Sequence, residues 1–183
     1  MKPFRNRSIG ILPHLNFVCR LASDISRGMA YLHGQAHSIL HRDLKSPNVM
    51  FDDNWVAKVG DFGLSRIVEE GKTMTKCGSP LWVAPEVLLG DKFGPAADVY
   101  SFAIIVWEAL EWKEPHKKLK SMEIMRGVAK KGLRPPFIDG IDRPQSMVQL
   151  IQHCWKQKQV GHSGRFRISP TISLSSPLLS FII

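Results

Sequence analysis

Four residues with chemically useful side chains stand close together in this sequence: Asp43, Lys45, Asn48 and Asp61. Asp43 could take a proton from a hydroxyl group, and Lys45, two residues later, could lie beside a transferring phosphate. The amide oxygen of Asn48 and the carboxylate of Asp61 are the hard oxygen ligands that Mg²⁺ prefers. A base, a cation and metal ligands together are what phosphoryl transfer requires, since its catalysis rests mostly on positioning and charge stabilisation.

The segments around these residues resemble the motifs of protein kinases. Three motifs follow one another in the order that the family uses: His41-Arg42-Asp43-Leu44-Lys45-Ser46-Pro47-Asn48, Asp61-Phe62-Gly63 and Ala84-Pro85-Glu86. Three ordered motifs are far more specific than one, and the resemblance covers roughly residues 15–155. Lys45 and the loop 78–86 make the chain most similar to the tyrosine-kinase-like group of serine/threonine kinases. A tyrosine kinase with an unusual loop is the alternative.

The resemblance implies a role for each residue of the candidate site. Asp43 would accept the hydroxyl proton, Lys45 would contact phosphate, and Asn48 and Asp61 would hold Mg²⁺ in a complex with ATP. Met50, two residues after Asn48, would lie under the adenine ring, although a methionine there could also be core filler. Ser79 would line the pocket for the acceptor hydroxyl, and the implied partner is a protein substrate.

Regulation is a second implication of the resemblance. In the family, an arginine before the catalytic aspartate often grips a phosphate on the activation segment through charge-assisted hydrogen bonds. Arg42 holds that position, and Thr73 and Thr75 are the candidate phosphorylation sites within residues 64–83. Ordinary exposed threonines in a loop are the alternative interpretation.

The sequence also departs from the family at both ends. No Gly-rich loop and no paired strand lysine can be found, and residues 1–14 are too few to build the small lobe. We therefore expect a remnant at 1–14, a kinase carboxy-terminal lobe at 15–155, and a divergent, disordered tail at 156–183. The tail lacks an Arg-Pro step, so we expect Glu86 to be left without its ion-pair partner.

The periodicity predicts a mainly α fold with two to four short strands at the catalytic edge. Apolar residues at spacings of three and four predict helices at 15–33, 121–131 and 144–157, and the almost wholly apolar segment 98–110 predicts a buried central helix. Strands are expected at 38–40, 49–51 and 55–59, the last two as a hairpin. By resemblance, Asp98 should hydrogen-bond the backbone near His41 and Arg42.

Composition adds limits on partners and location. The formal net charge is +9, and residues 113–134 hold eight basic side chains against two acidic ones. A solvated face is favoured there over nucleic-acid binding, because no nucleic-acid motif accompanies the charge. Three unpaired cysteines and the lack of a signal peptide predict a cytoplasmic protein. The longest apolar stretch, Phe102–Trp107, is far short of the ~20 residues of a membrane span.

Two functions from different classes remain open. The first is an ATP-dependent serine/threonine kinase by descent, truncated and therefore with negligible phosphotransfer from these 183 residues alone. The second is a non-catalytic kinase-like interaction module that binds the partners or substrates of an intact kinase. The sequence gives no indication of the physiological substrate, the pathway or the oligomeric state.

Overall fold

The computed structural model describes residues 11–67, 78–140 and 143–156. This part contains five α-helices and four short strands, in the order α1 (Ile11–His33), β1 (Ile39–Leu40), β2 (Val49–Phe51), β3 (Ala57–Val59), β4 (Arg66–Ile67), α2 (Pro85–Leu89), α3 (Pro95–Glu111), α4 (Ser121–Lys131) and α5 (Gln145–Cys154). Two single turns of 3-10 helix cover Ser46–Asn48 and Phe62–Leu64. The predicted mainly α fold with a few short strands is confirmed.

Helix α1 lies beneath the catalytic loop and begins at Ile11, four residues before the predicted start. Pro13 falls in its first turn, where the backbone N–H has no partner within a helix and proline is tolerated. The apolar face is buried as its spacing predicts, at Val18, Leu21, Ala22, Ile25 and Met29.

The β2–β3 hairpin is antiparallel and pairs Met50 with Lys58. We predicted that its second strand starts at Trp55, but β3 begins at Ala57. The turn explains the difference, because Trp55 adopts a left-handed conformation with φ of 58° and donates its N–H to Asp52 O at 2.9 Å. The carboxylate of Asp52 also accepts bonds from the N–H groups of Asn54 and Val56, which fixes the turn.

Helix α3 is the centre of the structure, as its apolar sequence predicts. Ala103 and Ile104 are fully buried, and the helix packs against both α1 and α5. Strand β1 pairs with β4 in a second, two-residue antiparallel ladder, separate from the hairpin. The core therefore lies around α3, and the short strands lie at the periphery with the candidate site.

Three smaller helices complete the described part. Helix α4 has the predicted bounds, whereas α5 ends at Cys154, three residues before the predicted end. Trp155 follows it with φ of −98° and ψ of 10° and is itself buried. The five-residue α2 escaped prediction because one turn and a half gives no readable periodicity.

A buried ion pair at the last residue of α3 also escaped prediction. Arg143 Nε lies 2.8 Å from Glu111 Oε1, within ion-pair distance but without hydrogen-bond geometry. Arg143 Nη2 donates a hydrogen bond to Glu111 Oε2 at 3.2 Å. The N–H of Ile138 donates to the same Oε2 at 3.2 Å. Glu111 therefore holds the segment between α4 and α5 against the core.

Candidate phosphoryl-transfer site

The carboxylate of Asp43 is the centre of the candidate site. Lys45 Nζ lies 2.6 Å from Asp43 Oδ2, with only 10% of the Asp43 side chain and 21% of the Lys45 side chain exposed. The same ammonium donates to Ser79 Oγ at 3.0 Å. A partly buried charge-assisted pair of this kind holds both side chains in one orientation.

Ser79 is brought to this carboxylate from 36 residues away in the sequence. Its Oγ donates to Asp43 Oδ1 at 2.9 Å and its N–H donates to the same oxygen at 3.1 Å. Gly78 makes this approach possible, since it adopts φ of 111° and a Cβ there would meet Arg42 O at 3.1 Å. A hydroxyl group therefore already contacts the carboxylate that we predicted to accept a hydroxyl proton.

The loop that carries Ser79 is anchored on α3. Ser101 Oγ donates to Trp82 O at 2.7 Å, and Trp82 Nε1 donates to Glu108 Oε2 at 3.2 Å. Burial raises the pKa of Glu108, while hydrogen bonds from Ser46 and Trp82 act to lower it. Helix α3 thus supports both the loop of Ser79 and the turn that begins at Ser46.

Asn48 lies on the other side of Asp43. Its Nδ2 donates to the backbone oxygen of Asp43 at 2.9 Å and lies 3.4 Å from Asp43 Oδ2. This bonding pattern assigns the amide nitrogen to Asp43, which leaves the amide oxygen available as a metal ligand. Asn48 is 8% exposed, so its orientation is fixed by the surrounding chain.

Asp61 reaches the site through the β2–β3 hairpin. The N–H of Gly60 donates to Asn48 O at 2.9 Å, so Asp61 follows the residue that pairs with Asn48. Asp61 has φ of 61°, is exposed, and accepts a bond from the N–H of Gly63 at 3.4 Å. The structure thus joins Asp43, Lys45, Asn48 and Ser79 by direct side-chain contacts, and it joins Asp61 to them through the backbone.

A second carboxylate, Asp98 in the first turn of α3, holds the catalytic loop in place. Its Oδ2 accepts from the N–H of His41 and its Oδ1 from the N–H of Arg42, both at 2.9 Å. These are the bonds that the resemblance implied. His33 Nε2 lies 2.9 Å from Asp98 Oδ2 and was missed, because a lone histidine 65 residues from its partner carries no local pattern.

His41 connects the two halves of the site from below. It is fully buried and its Nε2 donates to Gly60 O at 2.9 Å, so Nδ1 is the acceptor that faces the N–H of Asp43 at 3.4 Å. The ring of Phe62 lies 5.3 Å from the His41 ring, centroid to centroid. His41, for which we had predicted no role, therefore links the segment of Asp43 with the segment of Asp61.

Comparison with known families decides the family of this chain. Residues 12–166 match the family model described as protein tyrosine and serine/threonine kinase. The chain belongs to this protein kinase family. The match runs beyond Trp155, at which we had ended the predicted domain.

Similar proteins carry serine/threonine kinase names. The probable serine/threonine-protein kinase drkB of Dictyostelium discoideum is 43% identical over 139 residues, which are 76% of this chain and 20% of that protein. The serine/threonine-protein kinase STY17 of Arabidopsis thaliana is 40% identical over 139 residues, 75% of this chain and 24% of that protein. The kinase chain described here thus spans about a fifth to a quarter of the length of these curated relatives.

The remaining predicted site residues of this kinase chain have mixed outcomes. Met50 is 57% exposed, so the alternative of a core-filling methionine is wrong. Arg42 is half-buried with φ of 70° and has an interaction partner. Thr73 and Thr75 lie outside the described residues, and so does the tail from 157 onward.

The structure corrects our prediction for Glu86. We predicted an unpaired carboxylate because the tail lacks the Arg-Pro step of the family. Glu86 is not without a partner, since it interacts with another group of the chain. Burial raises the pKa of Tyr100 to about 12, and the charge of Glu86 contributes a smaller part of that rise. The missing Arg-Pro step therefore does not leave Glu86 isolated.

Neither α1 nor any other helix within residues 11–67, 78–140 and 143–156 combines the length and apolar character needed to cross a bilayer.

Proposed function

We propose that this chain supplies the catalytic half of an ATP-dependent protein serine/threonine kinase. The observation that carries the proposal is the contact of Asp43 with a serine hydroxyl at 2.9 Å and with Lys45 Nζ at 2.6 Å. In this proposal Asp43 accepts the proton of the substrate hydroxyl as its oxygen bonds to the γ-phosphorus of ATP, while the bond from that phosphorus to the bridging oxygen breaks and ADP leaves. Lys45 balances the negative charge that develops on the transferred phosphoryl group.

Asn48 and Asp61 fit the ligand set of a nucleotide-bound Mg²⁺. The side-chain oxygen of Asn48 is not used by the bond to Asp43, and the carboxylate of Asp61 is exposed. Two protein oxygens are enough, because Mg²⁺ usually takes its other ligands from phosphates and water. When bound, the ion would supply charge stabilisation at the phosphates. Within the described part of the chain no cluster of three His, Cys, Asp or Glu side chains offers a competing site.

The exposed side chain of Met50 suits a place beneath an adenine ring. It projects from β2 beside Gly60, where a Cβ on the glycine would clash with Met50 Cε. We propose that Met50 gives ATP an apolar floor. Arg42, Thr73 and Thr75 remain our proposed regulatory residues, on the argument from charge given above.

Finer details of the function belong to the same proposal. We place the chain in the tyrosine-kinase-like group and assign residues 15–155 to the carboxy-terminal lobe alone. Because the 183 residues include no Gly-rich loop and no paired strand lysine, we propose that by themselves they transfer phosphate negligibly. A cytoplasmic location and the lack of a nucleic-acid partner also remain proposals.

Phosphate transfer with and without a small lobe tests this function. We would fuse the chain to the small lobe of a related serine/threonine kinase and measure incorporation of labelled phosphate into a test protein. Asp43→Asn should lower the rate about 10²- to 10⁴-fold. Asp53→Asn is the matched control, because Asp53 is an exposed carboxylate in the β2–β3 turn.

Two results would count against the proposal. Equal rates for the Asp43→Asn fusion and its parent would remove Asp43 from the mechanism. Asp43-dependent incorporation by the unfused 183-residue chain would contradict its proposed inactivity.

A non-catalytic interaction module is the second candidate, and one feature favours it. A cleft of about 540 Å³ lies between α1 and β3, lined by residues that include Gly28, Tyr31 and Phe62. Tyr31 is 71% exposed and Phe62 is 50% exposed, which leaves apolar surface for a partner. Adding the Asp43→Asn chain to an intact kinase reaction should then lower substrate phosphorylation, whereas an unchanged rate would exclude competition.

A further inference from the structure

A strongly basic surface lies after α3 and along α4. Seven basic residues there are exposed, and we call them the basic surface: Lys113, Lys117, Lys118, Lys120, Arg126, Lys130 and Lys131. The eighth basic residue of this segment, Arg134, is half-buried. Its Nε donates to Trp155 O at 2.9 Å, and its guanidinium lies 5.0 Å from the ring centre of Tyr100. Arg134 is therefore committed to the fold.

Among the described residues, the cationic groups of the basic surface form no ion pair with a carboxylate. In residues 11–67, 78–140 and 143–156, none of the seven side chains lies within ion-pair distance of an acidic group. Glu123 lies among them, but its carboxylate accepts the N–H of Lys120 at 2.8 Å as part of the start of α4. The basic surface therefore offers free cationic donors to a partner of opposite charge.

Helix α4 arranges part of this charge in one line. Met122, Arg126 and Lys130 follow at intervals of four residues, so they lie along one face of the helix. Met122 is 73% exposed, and Leu119, just before the helix, is 40% exposed. Apolar side chains among cations, with methionine adapting to varied shapes, are suited to a polypeptide partner.

The position of α4 relates this surface to the candidate site. Helix α4 packs against α2, and α2 begins at Pro85, shortly after the loop that carries Ser79. Ser79 in turn contacts Asp43. A protein bound to α4 is thus separated from the Asp43 centre by a single short helix.

We propose that the basic surface docks acidic polypeptide segments of the protein substrates. The inference rests on the proposed kinase function, and it adds a substrate class to it. Charge complementarity favours an acidic partner, and a polypeptide is favoured over nucleic acid because none of the seven basic residues has an exposed aromatic neighbour on α4 for base stacking. An anionic membrane is disfavoured because helix α4 carries no Trp, Tyr or Phe that could anchor it at the interface.

Binding of an acidic peptide tests the docking surface without any phosphate transfer. A labelled peptide rich in Glu and Asp around one serine would be titrated with the full chain and followed by fluorescence anisotropy. Arg126→Glu with Lys130→Glu should weaken binding about tenfold or more, and added salt should weaken it further. The matched control is Arg20→Glu with Lys156→Glu, which changes the net charge equally at exposed positions elsewhere and should leave binding within about twofold.

The outcomes separate this inference from the kinase proposal. Asp43→Asn should bind the peptide as the parent does, so a failure of catalysis leaves the docking result intact. Lys117→Gln with Lys118→Gln provides a milder second variant, which should weaken binding in the same direction. Equal loss in the Arg20/Lys156 control, equal binding of a Gln- and Asn-rich peptide, or tighter binding of DNA or anionic vesicles would overturn the proposal.

Discussion

The two ends of α3 treat their buried polar groups in different ways. At the start of the helix, Asp98 is 2% exposed and both of its oxygens accept hydrogen bonds from the catalytic loop. Beyond the end of the helix, His116 is 9% exposed, and its Nε2 has no hydrogen-bond partner within the described part of the chain. The contrast shows where this fold has a fixed polar network and where it tolerates a defect.

Backbone geometry follows the same division. Arg42, at the first end, has φ of 70° and is held by the bond from its N–H to Asp98. Trp112 and His116, at the second end, have φ of 54° and 55°, a conformation that costs most residues free energy. The rings of His14 and Phe17 pack on Trp112, so apolar contacts stabilise its position. Hydrogen bonds to Asp98 fix the first end, whereas at the second end ring packing on Trp112 acts together with the ion pair of Glu111 and Arg143.

The largest expected effect on stability is at the start of α3, where the buried oxygens of Asp98 all have hydrogen-bond partners. Asp98→Ala leaves the N–H groups of His41 and Arg42 buried without their acceptor, so the free energy of unfolding should fall by about 3–5 kcal/mol. Urea denaturation of both proteins measures the change. Asp139→Ala, at an exposed carboxylate, is the control and should lie within about 0.5 kcal/mol of the parent. A similar small change for Asp98→Ala would contradict the network.

A smaller effect is expected from one arm of the same network. His33→Ala removes a single bond to Asp98 while the two backbone donors remain, so the loss should be about 1–3 kcal/mol. The double variant His33→Ala with Asp98→Ala should be less destabilised than the sum of the two single changes, because the residues share one interaction. Additive losses in the denaturation midpoints would show that His33 and Asp98 act separately.

The smallest effect on stability is expected at His116, beyond the end of α3, and it depends on pH. Burial lowers the pKa of His116 below its usual 6.5, and the nearby charge of Arg134 lowers it further. The unfolded chain then binds more protons, so stability that is present above pH 6.5 is lost as the pH falls towards the pKa of the folded state.

Replacing the titrating ring isolates this contribution. His116→Phe should flatten the pH dependence of the denaturation midpoint between about pH 7.5 and 5.5 while keeping an aromatic ring in place. Gln152→Phe, at an exposed and non-titrating position on α5, is the control and should retain the slope of the parent. An unchanged slope in His116→Phe would assign the acid sensitivity to other groups.

Sequence reasoning was most successful where the signal is local or carried by a motif. The apolar segment at 98–110 predicts α3, and the spacing in 121–131 predicts α4 with its observed bounds. Two short apolar runs around Asp52-Asp53-Asn54 predict the hairpin, although the observed turn also includes Trp55. Periodicity succeeds here because each helix and strand shows its own buried face.

Pairs of residues that meet only in the folded chain were harder to predict. Glu111 and Arg143, 32 residues apart, form a buried ion pair that no spacing rule connects. His33 lies 65 residues from Asp98, and a histidine at the end of a helix is ordinarily expected to face solvent. Asp43, Asn48 and Ser79 were predicted as site residues because the resemblance named their positions, whereas their mutual hydrogen bonds became known only from the structure.

The imidazole of His41 acts as a spacer between two carboxylate-bearing segments. One ring nitrogen faces the N–H of Asp43 and the other donates to the carbonyl oxygen of Gly60, next to Asp61. The width of a single five-membered ring therefore sets how far apart the two segments lie. Phe62 packs on that ring, so a movement of Phe62 would displace His41 and, through it, the backbone of Asp43. The side chains of Asp43 and Asp61 need not touch for this coupling.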